Sequence, residues 1–218
     1  MLRTLRQGKS VFNYSPEWYA TESVELWLPQ MKSAEDLLYH YTDPTIIPFI
    51  YNGIRFDNGF QNYKNLSGRC LELGFNSGLT VHRLAEKYQD LKVDGIDFNP
   101  ALKKIIPWIK SFLPNIDDLW IGSSEDTPKY IDHYDYITSL DYFEHLPEEV
   151  YHKTLIECRF ILKSDGLMFV YLGKPPNPEH INRRTDEQVK KDFAEIDFSF
   201  VEQDGKDGIM VFRNDKNE

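Results

Sequence analysis

Positive charge, cysteine and long hydrophobic runs are all scarce in this 218-residue chain. Its 25 lysines and arginines are outnumbered by 35 aspartates and glutamates, so the formal net charge at pH 7 is -10. Such a chain has no excess of basic residues with which to neutralise many phosphates, and we therefore expect no nucleic-acid partner. Because no run of about 18 apolar residues occurs, we also expect no membrane partner.

The two cysteines, Cys70 and Cys158, each lie in an apolar periodic segment. This placement is typical of buried reduced thiols, and it argues against a disulfide framework or a cysteine-ligated metal site. The N-terminal stretch MLRTLRQGKSVF is basic, but the apolar segment of a signal peptide does not follow it. We therefore expect a cytoplasmic protein. The chain also lacks the Cys/His spacing of a zinc site, so we expect no metal ion.

The chain changes character near residue 67. Residues 1–66 are rich in aromatic residues, contain four prolines and show short helical patterns without strand alternation. Residues 67–218 alternate short apolar runs with helical ones, which is typical of a parallel sheet with crossover helices. We therefore expect a helical N-terminal segment over 1–66 and an α/β core over 67–218.

Five strands are predicted in the first part of this core, and a hairpin at its end. The strand sequences are RCLELG, KVDGIDF, DLWIG, YDYITSL and GLMFVYL, the last entered through a turn at Ser164–Gly166. Asn99 is expected to cap a helix that Pro107 kinks or restarts. The final runs, FSFVEQ and GIMVFR, are joined by a turn too short for a crossover, so one of them must run antiparallel to the sheet.

The turn after the first predicted strand has the features of a ligand site. Glu72, Gly74 and Gly78 form an E-x-G-x-x-x-G pattern, in which glycine lets the backbone approach a ligand. The pyrophosphate-binding pattern G-x-G-x-x-G is absent, since Asn76 stands where its second glycine would be. Asp97 ends the second predicted strand, where a carboxylate can accept hydrogen bonds from a ribose diol. The site therefore favours a nucleoside without a pyrophosphate.

Four ordered segments carry a family resemblance, namely LELGFNSG, VDGIDFNP, ITSLDYFEHLPEE and LKSDGLMFV. They resemble the successive motifs of class I S-adenosylmethionine-dependent methyltransferases, and the third resembles the L-D-x-x-E-H-L signature of the small-molecule branch. The resemblance extends from about Arg69 to Arg213. It implies an α/β fold with a doubly wound, seven-stranded, mostly parallel sheet of Rossmann-like type and an antiparallel last strand. It also implies S-adenosyl-L-methionine as cofactor and an N-terminal segment that covers the active site.

The resemblance implies roles for the matching residues. The loop Glu72–Gly78 would wrap the methionine part of the cofactor. Asp97 would hold the ribose hydroxyls, and Phe98 would lie against the adenine. Leu140 and Asp141, after the fourth strand, would lie beside the methionyl group.

One motif departs from the family pattern. At Gly122–Asp126 a serine, Ser123, replaces the carboxylate that the family often places near the adenine amine. Ser124 could still offer its backbone amide, and Glu125 or Asp126 could substitute for the carboxylate. The predicted cofactor-binding residues are therefore Glu72, Gly74, Asn76, Ser77, Gly78, Asp97, Phe98, Ser124, Glu125, Leu140 and Asp141.

His145 and His180 are the candidate catalytic residues. His145 follows the fourth strand, at the sheet edge where ligands bind, and could accept a proton from an acceptor hydroxyl. It could equally bond a loop carbonyl or pack under the cofactor. His180 lies in a proline-rich loop that in the family faces the substrate. Arg183 and Arg184 fit either an acidic substrate or, more simply, a solvated helix start.

The predicted reaction is methyl transfer to an oxygen or nitrogen of a small-molecule acceptor, such as a sugar or a secondary metabolite. Two alternatives remain open. One is a non-catalytic S-adenosylmethionine-binding module, and the other is a nicotinamide-dependent oxidoreductase, against which the missing G-x-G-x-x-G argues. The sequence also leaves a homodimer open as the assembly.

Overall fold

A computed structural model describes residues 24, 27–42, 56–124, 131–173, 180–205 and 208–216. Seven strands form one sheet in the order β3-β2-β1-β4-β5-β7-β6. The strands are β1 (Gly68–Leu73), β2 (Leu91–Asp97), β3 (Ile116–Ile121), β4 (Tyr134–Leu140), β5 (Leu162–Tyr171), β6 (Phe198–Gln203) and β7 (Met210–Asn214). The first five are parallel, whereas β7 pairs antiparallel with both β5 and β6. The predicted fold and its terminal antiparallel hairpin are confirmed.

The described α-helices are α1 (Ala34–Thr42), α2 (Leu79–Lys87), α3 (Ile106–Phe112), α4 (Glu148–Ile161) and α5 (Asp186–Ala194). Their ends follow local sequence signals. Asn99 accepts a hydrogen bond from the Ala101 amide and caps a 3-10 turn, and Pro107 stands in the first turn of α3, as predicted. Thr185 and Gln188 cap α5 reciprocally.

Hydrophobic side chains fill both faces of the sheet. On one face α1, α2 and α3 share a buried cluster with residues of the N-terminal segment, such as Phe60, whose ring stacks on Phe169 at 4.5 Å. On the other face α4 and α5 cover a second cluster around Phe193 and Phe212. Cys70 and Cys158 are buried free thiols, as predicted.

The prediction that a turn at Ser164–Gly166 precedes the fifth strand is wrong in one respect. β5 already begins at Leu162, and the turn residues are absorbed into the strand as an irregularity at which the pairing with β4 shifts register. Asp165 adopts a φ of +62°, a conformation that aspartate tolerates better than most residues. The local turn chemistry was therefore present, but strand pairing on either side of it continues.

No helix in the described part of the chain is long and apolar enough to cross a membrane. Tyr14, Trp18 and Tyr19, which the sequence places in the segment expected to cover the active site, lie outside the described residues.

Candidate active site

The glycine turn after β1 is tightly packed. Gly74 has a φ of +73°, and a Cβ there would lie 2.3 Å from Cδ2 of Tyr142. Gly78 has a φ of +85° and precedes α2, and a Cβ there would lie 2.6 Å from Cδ1 of Ile109. Both glycines are thus required by conformation and by space. Asn76 takes the third left-handed position, with a φ of +45°.

Asp97 ends β2 beside this turn and is held by the backbone. The amide of Asn76 donates to its Oδ2 at 2.9 Å, and the amide of Asn99 donates to its Oδ1 at 2.9 Å. Burial raises the pKa of Asp97 to about 6, although the backbone hydrogen bonds oppose that shift. The carboxylate is therefore fixed in position and ionised at neutral pH, as a ribose acceptor must be.

Glu72 is buried under the turn. Burial raises its pKa to about 8, and hydrogen bonds from the side chains of Thr138 and Thr80 oppose that shift. The Glu72 carboxyl is thus largely protonated at neutral pH when no cation lies beside it.

The remaining predicted cofactor residues occupy different environments. Leu140 ends β4 on the same sheet edge, and Asp141 follows it with a φ of +59°. Phe98 is half-buried against the second hydrophobic cluster. Ser124 is buried, with its hydroxyl 2.9 Å from that of Tyr142 and 2.8 Å from that of Thr154. Its side chain therefore packs behind the turn. Glu125 lies outside the described residues.

The N-terminal segment contacts the turn directly. The Tyr41 hydroxyl on α1 donates to the carbonyl oxygen of Ser77. Its ring lies 5.4 Å from that of His82 on α2 and 5.9 Å from that of Phe112 on α3. His40 is also buried, but it stacks on Trp27 at 5.7 Å. Tyr41 therefore links α1 to the predicted methionine loop.

The two candidate catalytic histidines meet. His145 closes a 3-10 turn after β4, His180 follows β5, and their rings lie 5.1 Å apart in an edge-to-face arrangement. Glu144 joins them, with its Oε1 3.9 Å from Nε2 of His180. All three side chains are at least nine-tenths buried. Burial raises the pKa of the Glu144 carboxyl well above its usual range, and the neighbouring Asp141 carboxylate raises it further.

Arg184 is paired with two carboxylates and is largely shielded from solvent. Its guanidinium pairs with Glu148 at 2.6 Å and Asp192 at 2.5 Å and lies 3.9 Å from the centre of the Tyr151 ring. The side chain is 9% exposed, so the expectation of a solvated helix start is wrong for this residue. Its role is to tie α5 to α4.

Two contributors, Tyr142 and Thr138, escaped the sequence reasoning, whereas the sequence already puts Glu144 next to His145 after the fourth strand. Tyr142 packs over Gly74, Thr138 bonds Glu72, and Glu144 completes the histidine pair. Strand alternation could have placed Thr138 beside Glu72, because both lie in paired parallel strands. The meeting of Glu144 and His180 has no local signal, because the two residues come from successive loops.

The sheet order, the glycine turn and the anchored carboxylate after β2 together define a class I S-adenosylmethionine-dependent methyltransferase. Residues 56–203 match the family model described as "Methyltransferase domain". Because this match spans more than half of the chain, the protein belongs to that family, its cofactor is S-adenosylmethionine, and the resemblance inferred from the motifs is confirmed.

Solved structures share the fold at low identity. A proposed S-adenosyl-L-methionine-dependent methyltransferase from Methanococcus maripaludis is 16% identical with a TM-score of 0.61, and 97% of this chain and 98% of that chain are covered. A proposed sarcosine dimethylglycine methyltransferase from Galdieria sulphuraria is 16% identical with a TM-score of 0.61, and 78% of this chain and 86% of that chain are covered. A SAM-dependent methyltransferase from Archaeoglobus fulgidus is 16% identical with a TM-score of 0.56, and 70% of this chain and 73% of that chain are covered. No curated protein matches the sequence significantly.

Proposed function

We propose that this methyltransferase transfers the methyl group to an oxygen or nitrogen atom of a small-molecule acceptor. The observation that supports this most is the buried group of Glu144, His145 and His180 at the carboxyl ends of β4 and β5. It lies next to Asp141, which the family resemblance puts beside the methionyl group. A polar group so enclosed suits a compact acceptor better than a macromolecular surface.

Charge gives independent support. A net charge of -10 disfavours a large nucleic-acid acceptor, because binding one requires many phosphate contacts. The Galdieria sulphuraria neighbour is described as a proposed sarcosine dimethylglycine methyltransferase, so a small acceptor has been proposed for another protein of this fold.

The chemistry requires alignment more than activation. The sulfonium of S-adenosylmethionine already carries an activated methyl group, so the chain must hold acceptor, methyl carbon and sulfur in line. On this proposal the turn Glu72–Gly78 and Asp97 hold the cofactor, and Tyr41 closes the turn from the N-terminal side. An alcohol acceptor additionally needs its proton removed, and His145 and His180 are the residues placed to assist.

The test is transfer of a labelled methyl group from S-adenosylmethionine to separate acceptor classes. The panel contains hydroxylated sugars, phenols and small amines beside tRNA and a lysine-rich peptide. We expect label in a small-molecule fraction only, with loss in Asp97→Ala and retention in His152→Ala, an exposed histidine outside the site. Label that enters only the tRNA or the peptide would contradict the proposal.

A further inference from the structure

Glu144, His145 and His180 form a group of potential metal ligands. One ligand atom from each residue lies within 4.8 Å of the others. Ligand atoms bound to one ion at about 2.1 Å stand at most about 4 Å apart, so a small side-chain rotation closes the group around an ion. Glu144 and His145 lie in the 3-10 turn Phe143–His145 after β4, and His180 lies in the chain after β5, the parallel neighbour of β4.

The backbone at Gly173 makes room for this approach. A Cβ at residue 173 would lie 2.3 Å from Cε1 of His180 and 2.7 Å from Oε1 of Glu144. The Gly173 amide also donates to Glu144 Oε1 at 2.6 Å and fixes the carboxylate. Ligating carboxylates in metal sites are oriented by such second hydrogen bonds. The glycine therefore serves the close meeting of these two side chains.

Charge balance points the same way. The buried Glu144 side chain is hydrogen-bonded to that of Asp141, which is only partly buried. Among the described residues, the imidazole of His180 lies within ion-pair distance of Glu144, and no lysine or arginine does. A buried carboxylate such as that of Glu144 is unfavourable unless a proton or a cation neutralises it. A divalent ion between Glu144 and the imidazoles supplies that charge.

We propose that Glu144, His145 and His180 bind one divalent first-row transition-metal ion that holds the acceptor hydroxyl. Two imidazole nitrogens and one carboxylate suit ions such as Zn²⁺ or Mn²⁺ better than Ca²⁺ or Mg²⁺. Three protein ligands leave an open position, as in catalytic sites. The inference rests on the proposed function, and it makes the two histidines ligands in place of proton acceptors.

The bound ion would lower the pKa of the acceptor hydroxyl. A hydroxyl bound to a divalent ion loses its proton near neutral pH more readily than a free alcohol, and the proton passes to water. The oxygen lone pair then forms the new O–CH₃ bond while the methyl–sulfur bond breaks. The bonding electrons stay on sulfur, which leaves as the neutral thioether of S-adenosylhomocysteine.

The experiment uses the full chain after treatment with a chelator. Titration with Co²⁺, followed by its visible absorption, should saturate at about one equivalent with a spectrum typical of nitrogen and oxygen ligands. His180→Ala and Glu144→Gln should weaken Co²⁺ binding about tenfold or more, and the exposed-histidine variant His152→Ala should match the wild type. Zn²⁺ should displace Co²⁺ at comparable concentration, whereas Mn²⁺, which binds such sites more weakly than Co²⁺, should do so only in large excess.

Binding of S-adenosylhomocysteine in the same samples separates this inference from the proposed function. We expect chelation to leave that affinity unchanged within about twofold, because the ion contacts the acceptor. Binding of the nucleoside without any saturable Co²⁺ binding to the wild type would overturn the metal inference alone. Equal Co²⁺ binding by His180→Ala would also overturn it. Failure to bind the nucleoside would instead count against the proposed function.

Discussion

Asp97 should make cofactor affinity depend on pH in a calculable way. Burial sets its pKa at about 6, and only the ionised form accepts two ribose hydrogen bonds at full strength. At pH 5 a group with this pKa is about nine-tenths protonated, and at pH 7 it is about nine-tenths ionised. The affinity for S-adenosylhomocysteine should therefore fall about tenfold between pH 7 and pH 5.

The bond strengths set an upper limit on the same effect. Hydrogen bonds to a charged group contribute about 1.5–3 kcal/mol, or roughly 10- to 100-fold in affinity, so the population of ionised Asp97 limits the change at pH 5. In the free protein Glu72, with a pKa of about 8, is largely protonated throughout this range. We therefore expect the change in S-adenosylhomocysteine affinity between pH 7 and pH 5 to arise from the titration of Asp97.

Isothermal titration between pH 5 and pH 7 measures this slope. In the variant Asp97→Asn the affinity should be about 10- to 100-fold lower at pH 7 and nearly independent of pH. The backbone donors at Asn76 and Asn99 remain in the variant, so the local fold is kept. A wild-type affinity that stays flat, or a variant that keeps the slope, would refute the reasoning.

Four further substitutions separate structural from functional roles. Gly74→Ala puts a Cβ 2.3 Å from the Tyr142 ring at a φ of +73°, so we expect the unfolding free energy in urea to fall by about 2–4 kcal/mol and nucleoside binding to vanish. Gly205→Ala, at a φ of +63° with open space around it, should lose only about 1 kcal/mol. Tyr41→Phe should lower stability by about 1–2 kcal/mol and nucleoside affinity a few-fold, and unchanged thermal unfolding with and without nucleoside would contradict its link to the turn. Arg184→Met should lower stability by about 1–3 kcal/mol and leave nucleoside affinity intact, whereas lost acceptor turnover at unchanged stability would make it a substrate residue.

Sequence reasoning reached most of the fold because the core elements are locally consistent. The runs YDYITSL and FSFVEQ coincide with β4 and β6, since alternating apolar residues and flanking turns leave few other solutions. Asn99 and Pro107 marked their helix starts by the same local chemistry. The pattern failed at Ser164–Gly166, where pairing with neighbouring strands overrides a favourable turn.

The candidate site divides in the same way. Gly74, Gly78 and Asp97 were readable because one short segment sets their geometry. The meeting of Glu144 with His180 depends on which strands become neighbours, and no residue spacing reports that. The arrangement of Glu144 and His180 on the proposed acceptor side could therefore be seen only in the structure.

The most direct test of the account is isothermal titration of the purified protein with S-adenosylmethionine, S-adenosylhomocysteine and NAD, beside Asp97→Ala. We predict micromolar binding of the first two, its loss in the variant and no binding of NAD. Binding of NAD without either sulfur nucleoside would contradict the claim that the LELGFNSG turn holds S-adenosylmethionine.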